Sequence, residues 1–527
     1  MPPTSRPEAD EGDQSNVLGP AQRWLFNIAY LKPKQIVQIV RRGLTKSRRV
    51  LDTESRVPAL VSMADATDAL ITSEVRDGCT SEVEMRLADI RKSLLDDKLT
   101  YSATAAEDEA LERLSVNLLR LGLFDELLHL VRQHKLPLRY EFESVTNYCE
   151  SQYAECRRRG EAYRAKHPNS EIFTMGCIVW GAEYVGNFLQ YNLRSMLSPN
   201  NLPALRTQGQ VVCSIVTDSA GELRMRQHPL FDKLSAVADV EFTILPDEMI
   251  RILSRGHLVR NFYILYGMLD HCSIYFAQGA ASHLFMIPVD SIVADGSLTN
   301  MANYRHEGYE CCGGGNIVAE TETFLPALDA RYGHDEPIRI STDELATLAA
   351  DHAHHYFRSQ IVAAENNDFG KHPREIFWPV DGGVEIHSVF IHPLFTSASG
   401  LAKYSRKHFA NIDYGMIPRM FSRSDAIKII NDPRQAYVNN FTAADRLYET
   451  TGRAFAVEDF LRSHNYTYPV QKSLFARAQV LPCRLSGWTV CSDVPGDVAR
   501  INTSLGVTGV AEPESQASGD GSVGKVQ

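Results

Sequence analysis

Four short runs of apolar and β-branched residues, separated by stretches of helical pattern, constrain the fold of this chain more than any other feature. They are residues 172–180 (IFTMGCIVW), 211–217 (VVCSIVT), 240–245 (VEFTIL) and 283–289 (HLFMIPV). Each run has the length of a buried strand and is bounded by polar or glycine-containing turns. Strands that alternate with helices form βαβ units, so we predict an α/β fold with a mostly parallel sheet flanked by helices.

Carboxylates stand where two of these strands end. Asp218 follows the second run and Asp290 follows the fourth, and in open α/β sheets ligands bind beyond the carboxyl ends of the strands. A second carboxylate, Asp295, stands five residues after Asp290. The pair either holds a divalent metal ion beside the phosphates of a ligand, or forms a cap and a turn. The spacing alone leaves both interpretations open.

Composition divides the chain into five parts. Residues 1–22 and 504–527 are poor in large apolar side chains, so we expect both to be disordered. Residues 23–168 show helical periodicity and predict an all-helical N-terminal region. Residues 169–440 carry the α/β pattern, and residues 441–503 predict a helical C-terminal extension.

Charge and cysteine usage limit the partners and the compartment. The formal net charge of −11 disfavours non-specific binding, so we expect no nucleic-acid partner. Basic side chains concentrate beside an apolar face in residues 34–49, which is either a peripheral contact with a membrane surface or a solvated helix face. Ten scattered cysteines without CxxC spacing, and no signal-peptide pattern, predict a cytoplasmic protein, with the inner membrane face as the site of any peripheral contact.

Two further segments carry residue types that bind ligands. Histidine is frequent between His352 and His392, but no metal-binding spacing is present, so each histidine is either structural or a ligand. His392, which stands in the turn-like segment FIHPLF, is the candidate we single out. The glycine run in residues 309–316 (YECCGGGN) either lets a ligand approach the backbone or forms a bulge or loop, and the second interpretation is favoured.

Five segments resemble landmarks of a family of largely uncharacterised bacterial proteins related to GT-A-type glycosyltransferases. They are IVWGAEYVGNFLQYNLRSMLSPNNLPAL (178–205), MIPVDSIVADGSL (286–298), IFWPVDGG (376–383), FIHPLF (390–395) and NIDYG (411–415). The resemblance covers roughly residues 172–440, about half of the chain. The resemblance implies a GT-A-like α/β domain that binds a nucleotide-diphospho-sugar.

The resemblance also implies which residues bind the donor. Trp180, Gly181 and Tyr184 match the segment beside which the nucleotide would lie. Asp218, at the end of the next strand, is added to this set because of its position.

A metal and a catalytic group are implied in the same way. Asp290 and Asp295 match two aspartates of the family, although VD and AD stand here where PD and SD are expected. With His392 they would hold Mn²⁺ or Mg²⁺. Asp413 matches an aspartate that would act as a base or bind the acceptor.

Three functions are compatible with these residues. The resemblance implies a glycosyltransferase that moves a sugar to a glycan, a lipid-linked acceptor or another hydroxyl group. The alternative is a GT-A-like module that has lost catalysis and binds sugars or acts as a scaffold, and the five-residue separation of the two aspartates favours it. A metal-dependent hydrolase built on the histidine-rich region is third, because that region has no spaced ligand set.

Overall fold

The computed structural model describes the α/β part of the chain and selected helices before it. The described residues are 62–70, 81–95, seven positions between 110 and 130, and then 139–253, 259–371, 373, 375–389, 392–405, 416–421, 423–432, 434–446, 450–463, 469–483, 488–491 and 493–505. Asp413, the basic segment 34–49 and the terminal segments predicted to be disordered, except for residues 504 and 505, lie outside them.

Thirteen strands lie within the described residues. They are β1 (Ile172–Ile178), β2 (Gln210–Asp218), β3 (Asp239–Leu245), β4 (His283–Met286), β5 (Ser291–Val293), β6 (Cys311–Gly313), β7 (Ala319–Glu320), β8 (Glu375–Val380), β9 (Gly383–Ser388), β10 (Phe395–Thr396), β11 (Ile427–Ile429), β12 (Val438–Thr442) and β13 (Gln479–Leu481).

Helices precede, connect and follow these strands. Residues 62–70 are helical. The α-helices after them are α1 (Ser81–Leu95), α2 (Arg139–Lys166), α3 (Ala182–Asn187), α4 (Leu193–Met196), α5 (Leu202–Gln208), α6 (Ser219–Arg226), α7 (Pro229–Ser235), α8 (Asp247–Leu253), α9 (Val259–Gly279), α10 (Ser297–Asn303), α11 (Thr321–Tyr332), α12 (Thr342–Asp351), α13 (His355–Ser359), α14 (Ala398–Leu401), α15 (Ile417–Met420), α16 (Val457–Ser463), α17 (Pro469–Phe475) and α18 (Val494–Ser504). A π-helical turn (Phe188–Asn192) joins α3 to α4, and short 3-10 helices span Tyr304–Glu307 and Ser424–Ala426.

Seven strands form the central sheet, in the order β3-β2-β1-β4-β10-β6-β11. Six of them run in one direction, and β10 is antiparallel to both of its neighbours. The four runs that predicted strands are β1 to β4, and they pair in parallel. The prediction of a mixed α/β fold with a mostly parallel sheet, flanked by helices and preceded by a helical region, is therefore confirmed.

The alternation of side chains along β1 supplies both layers of the core. Ile172 and Ile178 pack with α2 and α9 on one face of the sheet. Phe173 and Met175 pack on the other face with the helices that follow β1 and β2. All seven residues of β1 are buried, as expected for the central strand of a sheet covered on both sides.

Two smaller three-stranded sheets extend the α/β part. One has the order β5-β12-β7 and the other β13-β9-β8. β13 lies in the segment predicted to be a helical C-terminal extension, where it accompanies α16, α17 and α18. Its residues alternate between buried and exposed and pair with the edge of β9.

The sequence Ser341-Thr-Asp-Glu344 has the pattern of a capping box and predicts that a helix begins after Ser341; the structure shows half of this capping box. Ser341 caps α12, and its hydroxyl accepts a hydrogen bond from the backbone N–H of Glu344. The carboxylate of Glu344 pairs with Arg331, 3.3 Å away. The pattern of residues 344–362 predicts one continuous helix, but α12 ends at Asp351 and is followed by the separate helix α13. Among the described residues, no helix combines the length and the apolar character needed to cross a bilayer.

Two glycines allow α2 and α9 to touch through their backbones. A Cβ atom on Gly160 would lie 2.1 Å from the carbonyl oxygen of Phe276, and one on Gly279 would lie 2.2 Å from the carbonyl oxygen of Arg157. The hydroxyl of Tyr153 donates to the carbonyl of Met268, 2.7 Å away, along the same contact. The helical region is thus joined to the sheet by close packing that any larger residue would disrupt.

We expect Gly160→Ala to lower the free energy of unfolding by about 2 kcal/mol or more, because the added methyl group meets backbone that cannot rotate away. Gly186→Ala is the control: its Cβ would meet only the guanidinium of Arg224, 3.5 Å away, and alanine favours a helix. Denaturant unfolding of the two variants measures both effects. Equal stabilities would contradict this account of the α2–α9 contact.

His283 begins β4 and is held neutral by its surroundings. Its ring stacks between Phe173 and Phe395, and its Nδ1 accepts a hydrogen bond from the backbone N–H of Ala398. Burial, reinforced by the nearby charge of Arg305, lowers the pKa of His283 to about 4.

This lowered pKa predicts a loss of stability in acid. Between about pH 6.5 and pH 4 the unfolded chain binds a proton at His283 that the folded chain does not, so the free energy of unfolding falls as the pH falls. The loss from this group should approach about 3 kcal/mol near pH 4. We expect His283→Asn to flatten this part of the curve in unfolding experiments from pH 8 to pH 4. An unchanged slope would show that His283 is not responsible.

Candidate functional site

The strand order places a crevice beside β1. The chain moves outward from β1 to β2 and β3, and then returns to place β4 on the other side of β1. The loops after β1 and β4 therefore diverge at the carboxyl edge of the sheet, which is where open α/β sheets bind ligands. Trp180 and Gly181 follow β1 at this edge, and Asp290 follows β4.

Asp218 ties the loop after β1 to the helix after β2. Its Oδ1 accepts the backbone N–H of Gly221 at 2.5 Å and so caps α6. Its Oδ2 accepts the N–H of Gly181 at 2.8 Å. Gly181 has φ of 77°, a conformation that glycine adopts without strain. Asp218 therefore shapes the loop, and each carboxylate oxygen still has capacity to accept a hydrogen bond from a ligand.

The two aromatic residues of this loop differ in exposure. Trp180 is half-buried and packs against the core that α2 and α9 form on the sheet. Tyr184, in the first turn of α3, is 53% exposed. Arg224 of α6 lies beside them, and its guanidinium donates to the carbonyl of Ala182, 2.7 Å away. An exposed ring and a cation at the carboxyl edge are groups that can meet the base and the phosphates of a nucleotide.

His392 and Asp290 flank the end of β4. The Nε2 atom of His392 lies 2.7 Å from the carbonyl oxygen of Met286, the last residue of β4. The backbone carbonyl of Asp290 accepts the N–H of Phe441, 2.9 Å away, at the start of the β5–β12 pair. Both residues are partly exposed. The structure thus brings the predicted histidine and the first predicted aspartate to the same strand end.

Asp295 has a different environment. Its Oδ1 accepts hydrogen bonds from the hydroxyl of Ser198 at 2.5 Å and from the backbone N–H of Asn200 at 3.0 Å. Its Oδ2 accepts from the side-chain amide of Asn200 at 2.7 Å. The carboxylate therefore joins the turn before α10 to the turn before α5, which is the cap-and-turn interpretation of this residue.

The described residues do not contain a preformed set of metal ligands. No three His, Cys, Asp or Glu side chains of the described ranges are grouped closely enough to hold a metal ion. Three donors already occupy Asp295. A metal at His392 would have to use Nδ1, because Nε2 faces the carbonyl of Met286.

The two interpretations of Asp295 predict different properties for the variant Asp295→Ala. If it is structural, Asp295→Ala should lower the free energy of unfolding by about 1–3 kcal/mol, because it leaves three donors without their acceptor. Asp335→Ala, at an exposed aspartate, should change stability by less than about 0.5 kcal/mol. Thermal or denaturant unfolding gives both values. A stable Asp295→Ala variant that has lost affinity for Mn²⁺ would instead assign this residue to a metal site.

His387 and the glycine run have packing roles in the structure. His387 is buried, with its ring nitrogens 2.6 Å from the carbonyl of Phe475 and 2.7 Å from Glu385. The run at 313–315 passes close to two side chains: a Cβ on Gly315 would lie 2.8 Å from Ile386, and the Gly315 N–H donates to Gln479 at 2.7 Å. Loop packing, the favoured interpretation of this run, accounts for these glycines.

Sequence reasoning missed one residue of this region. Asn192 is fully buried in the π-helical turn, and its side-chain amide donates to the carbonyls of Pro288 and Ser291, each 3.0 Å away. Its Oδ1 atom is buried and accepts no hydrogen bond in this structure. An unpaired buried oxygen costs about 1–3 kcal/mol. An asparagine among the buried positions of a helix was therefore the signal that could have found this residue.

Comparisons with known proteins do not extend these observations: no family model, no curated protein and no solved structure matches the chain.

Proposed function

We propose that this protein is a GT-A-type glycosyltransferase, which moves a sugar from a nucleotide-diphospho-sugar to a hydroxyl of a glycan or lipid-linked acceptor. The observation that carries the proposal is the reversal of strand order between β1 and β4. It brings the Trp180–Gly181 loop and Asp290, matched to the family independently of each other, to neighbouring strand ends. When only the seven strands of the central sheet are counted, in chain order, their order across the sheet is 3-2-1-4-6-5-7. The sixth of them, β10, is antiparallel to its neighbours.

In this proposal the first strand ends bind the nucleotide. Tyr184 offers an exposed ring to the base. Asp218 fixes the Gly181 loop, and its carboxylate can still accept a hydrogen bond from an N–H or O–H group of the base or the ribose. Arg224 supplies positive charge at the same edge. The nucleotide would thus be held mainly by the β1 and β2 ends.

The reaction itself falls to the loop after β4 and to Asp413. The acceptor hydroxyl attacks the anomeric carbon of the donor, the bond from that carbon to the diphosphate breaks, and the nucleoside diphosphate leaves. Asp413 would receive the proton of the hydroxyl. Asp290 would lie beside the diphosphate; a divalent metal ion there, if bound, would neutralise the charge of the leaving group. Metal binding and cytoplasmic placement remain predictions.

Ligand binding and turnover test the proposal separately. We expect UDP- or GDP-sugars to raise the thermal midpoint of the purified chain. At a ligand concentration a hundred times the dissociation constant, the free energy of unfolding should increase by about 2.7 kcal/mol. Release of the nucleoside diphosphate in the presence of an acceptor would show transfer. Titrations with and without Mn²⁺ would show whether a metal takes part.

Asp290→Asn is the informative variant. In the presence of Mn²⁺ it should weaken donor binding about tenfold or more, equivalent to about 1.4 kcal/mol, with the free energy of unfolding within about 0.5 kcal/mol of wild type. Binding without release of a nucleoside diphosphate would favour the catalytically inactive, sugar-binding alternative. If no nucleotide-sugar stabilises the wild-type protein, the proposed function is wrong.

A further inference from the structure

A π-helical turn brings a buried amide to the loop that carries Asp290. The helix after β1 runs through α3, the turn Phe188–Asn192 and α4, and four of the five residues of that turn are buried. A π-helical turn inserts an extra residue into a helix and so rotates the side chains that follow it; such turns occur frequently at functional sites. Here the turn ends on Asn192, which is fully buried.

The amide of Asn192 holds the backbone on both sides of Asp290. One –NH₂ group donates to the carbonyl oxygens of Pro288 and Ser291, both 3.0 Å from Nδ2, and the hydroxyl oxygen of Ser291 lies 3.2 Å from the same nitrogen. An amide nitrogen has two hydrogens, so one of them is shared between two of these acceptors. The opposite amide orientation would place Oδ1 against two carbonyl oxygens, so the hydrogen bonds fix the orientation.

One atom of this side chain has no hydrogen-bond partner within the part of the chain that the structure describes. With the nitrogen committed to the loop, Oδ1 is left buried without a hydrogen-bond partner. From the other side, the N–H of Phe441 in β12 donates to the carbonyl of Asp290 itself. The backbone of residues 288–291 is thus fixed from two independent elements, one of them at the expense of an unpaired oxygen.

We propose that Asn192 is a positioning residue, which sets the backbone of the Pro288–Ser291 loop so that Asp290 lies at the donor-binding crevice between the ends of β1 and β4. The inference rests on the proposed function, since it assigns Asn192 to the same donor site. It adds a residue that neither the family resemblance nor the spacing of charged groups singles out.

The chain offers a matched control in Asn201. Asn201 is also fully buried, and its amide donates to the carbonyls of Ser195 and Ala294, at 3.0 and 3.1 Å. Its Oδ1 accepts the N–H of Leu298 at 3.1 Å. It therefore holds the turn that carries Asp295 much as Asn192 holds the turn that carries Asp290, but with its amide oxygen paired.

The experiment compares Asn192→Leu with Asn201→Leu in the full chain. Two quantities are measured: the thermal midpoint without ligand, and the dissociation constant of the UDP- or GDP-sugar that stabilises wild type, at a temperature where both variants are folded. We expect both variants to lose stability, and Asn201→Leu to lose at least as much. We expect Asn192→Leu to weaken donor binding tenfold or more, and Asn201→Leu to stay within threefold of wild type.

A second variant, Asn192→Asp, tests the inference if Asn192→Leu does not fold. In Asn192→Asp, the ionised carboxylate cannot donate to the two carbonyls, whereas the protonated acid can donate to one. Donor affinity relative to wild type should therefore improve from pH 8 to pH 5 in this variant. A ratio that does not change with pH would overturn the inference.

The outcomes separate this inference from the proposed function. If wild type binds a nucleotide-sugar and Asn192→Leu binds it within threefold, or if both asparagine variants weaken binding equally, Asn192 is a structural residue and the proposed function stands. If wild type binds no nucleotide-sugar, the proposed function is wrong, and the positioning role is wrong with it.

Discussion

The parallel pairing of β1 with both β2 and β4 is the interaction on which the rest of this structure depends. β1 is buried along its whole length, so its backbone polar groups must be satisfied by two neighbouring strands. Its side chains alternate between two apolar layers, which fixes the positions of the covering helices. Because the chain leaves β1 to form β2 on one side and later returns to form β4 on the other, the same pairing creates the divergence of loops at the carboxyl edge.

Two aspartates of one short segment have separate environments because the chain between them changes partners. Asp290 stands where the backbone passes from the central sheet to the β5–β12 pair. Asp295 stands after β5, where Ser198 and Asn200 surround its carboxylate. The five residues from Asp290 to Asp295 include the strand β5, which separates the two side chains.

The sequence predicted what depends on local pattern. β1 to β4 follow from apolar, β-branched runs, and the start of α12 follows from Ser341. β10 is a two-residue strand that owes its place to pairing with β4 and β6, and no pattern of that length is informative. The residues that donate hydrogen bonds to Asp295 lie 95 and 97 positions away from it in the chain. The two carbonyls that accept hydrogen bonds from Asn192 belong to residues 96 and 99 positions away from it. Tertiary structure alone creates such contacts.

Pro288 explains why a buried amide is needed at this position. Proline has no N–H and cannot continue a ladder, so β4 ends at Met286 and β5 begins only at Ser291. The carbonyls of Pro288 and Ser291 then take donors from outside the central sheet: the amide of Asn192 donates to both, and the hydroxyl of Ser291 also donates to the carbonyl of Pro288. An apolar residue at position 192 would remove the amide from both carbonyls. The interruption that frees Asp290 from the sheet thus also creates the requirement that Asn192 meets.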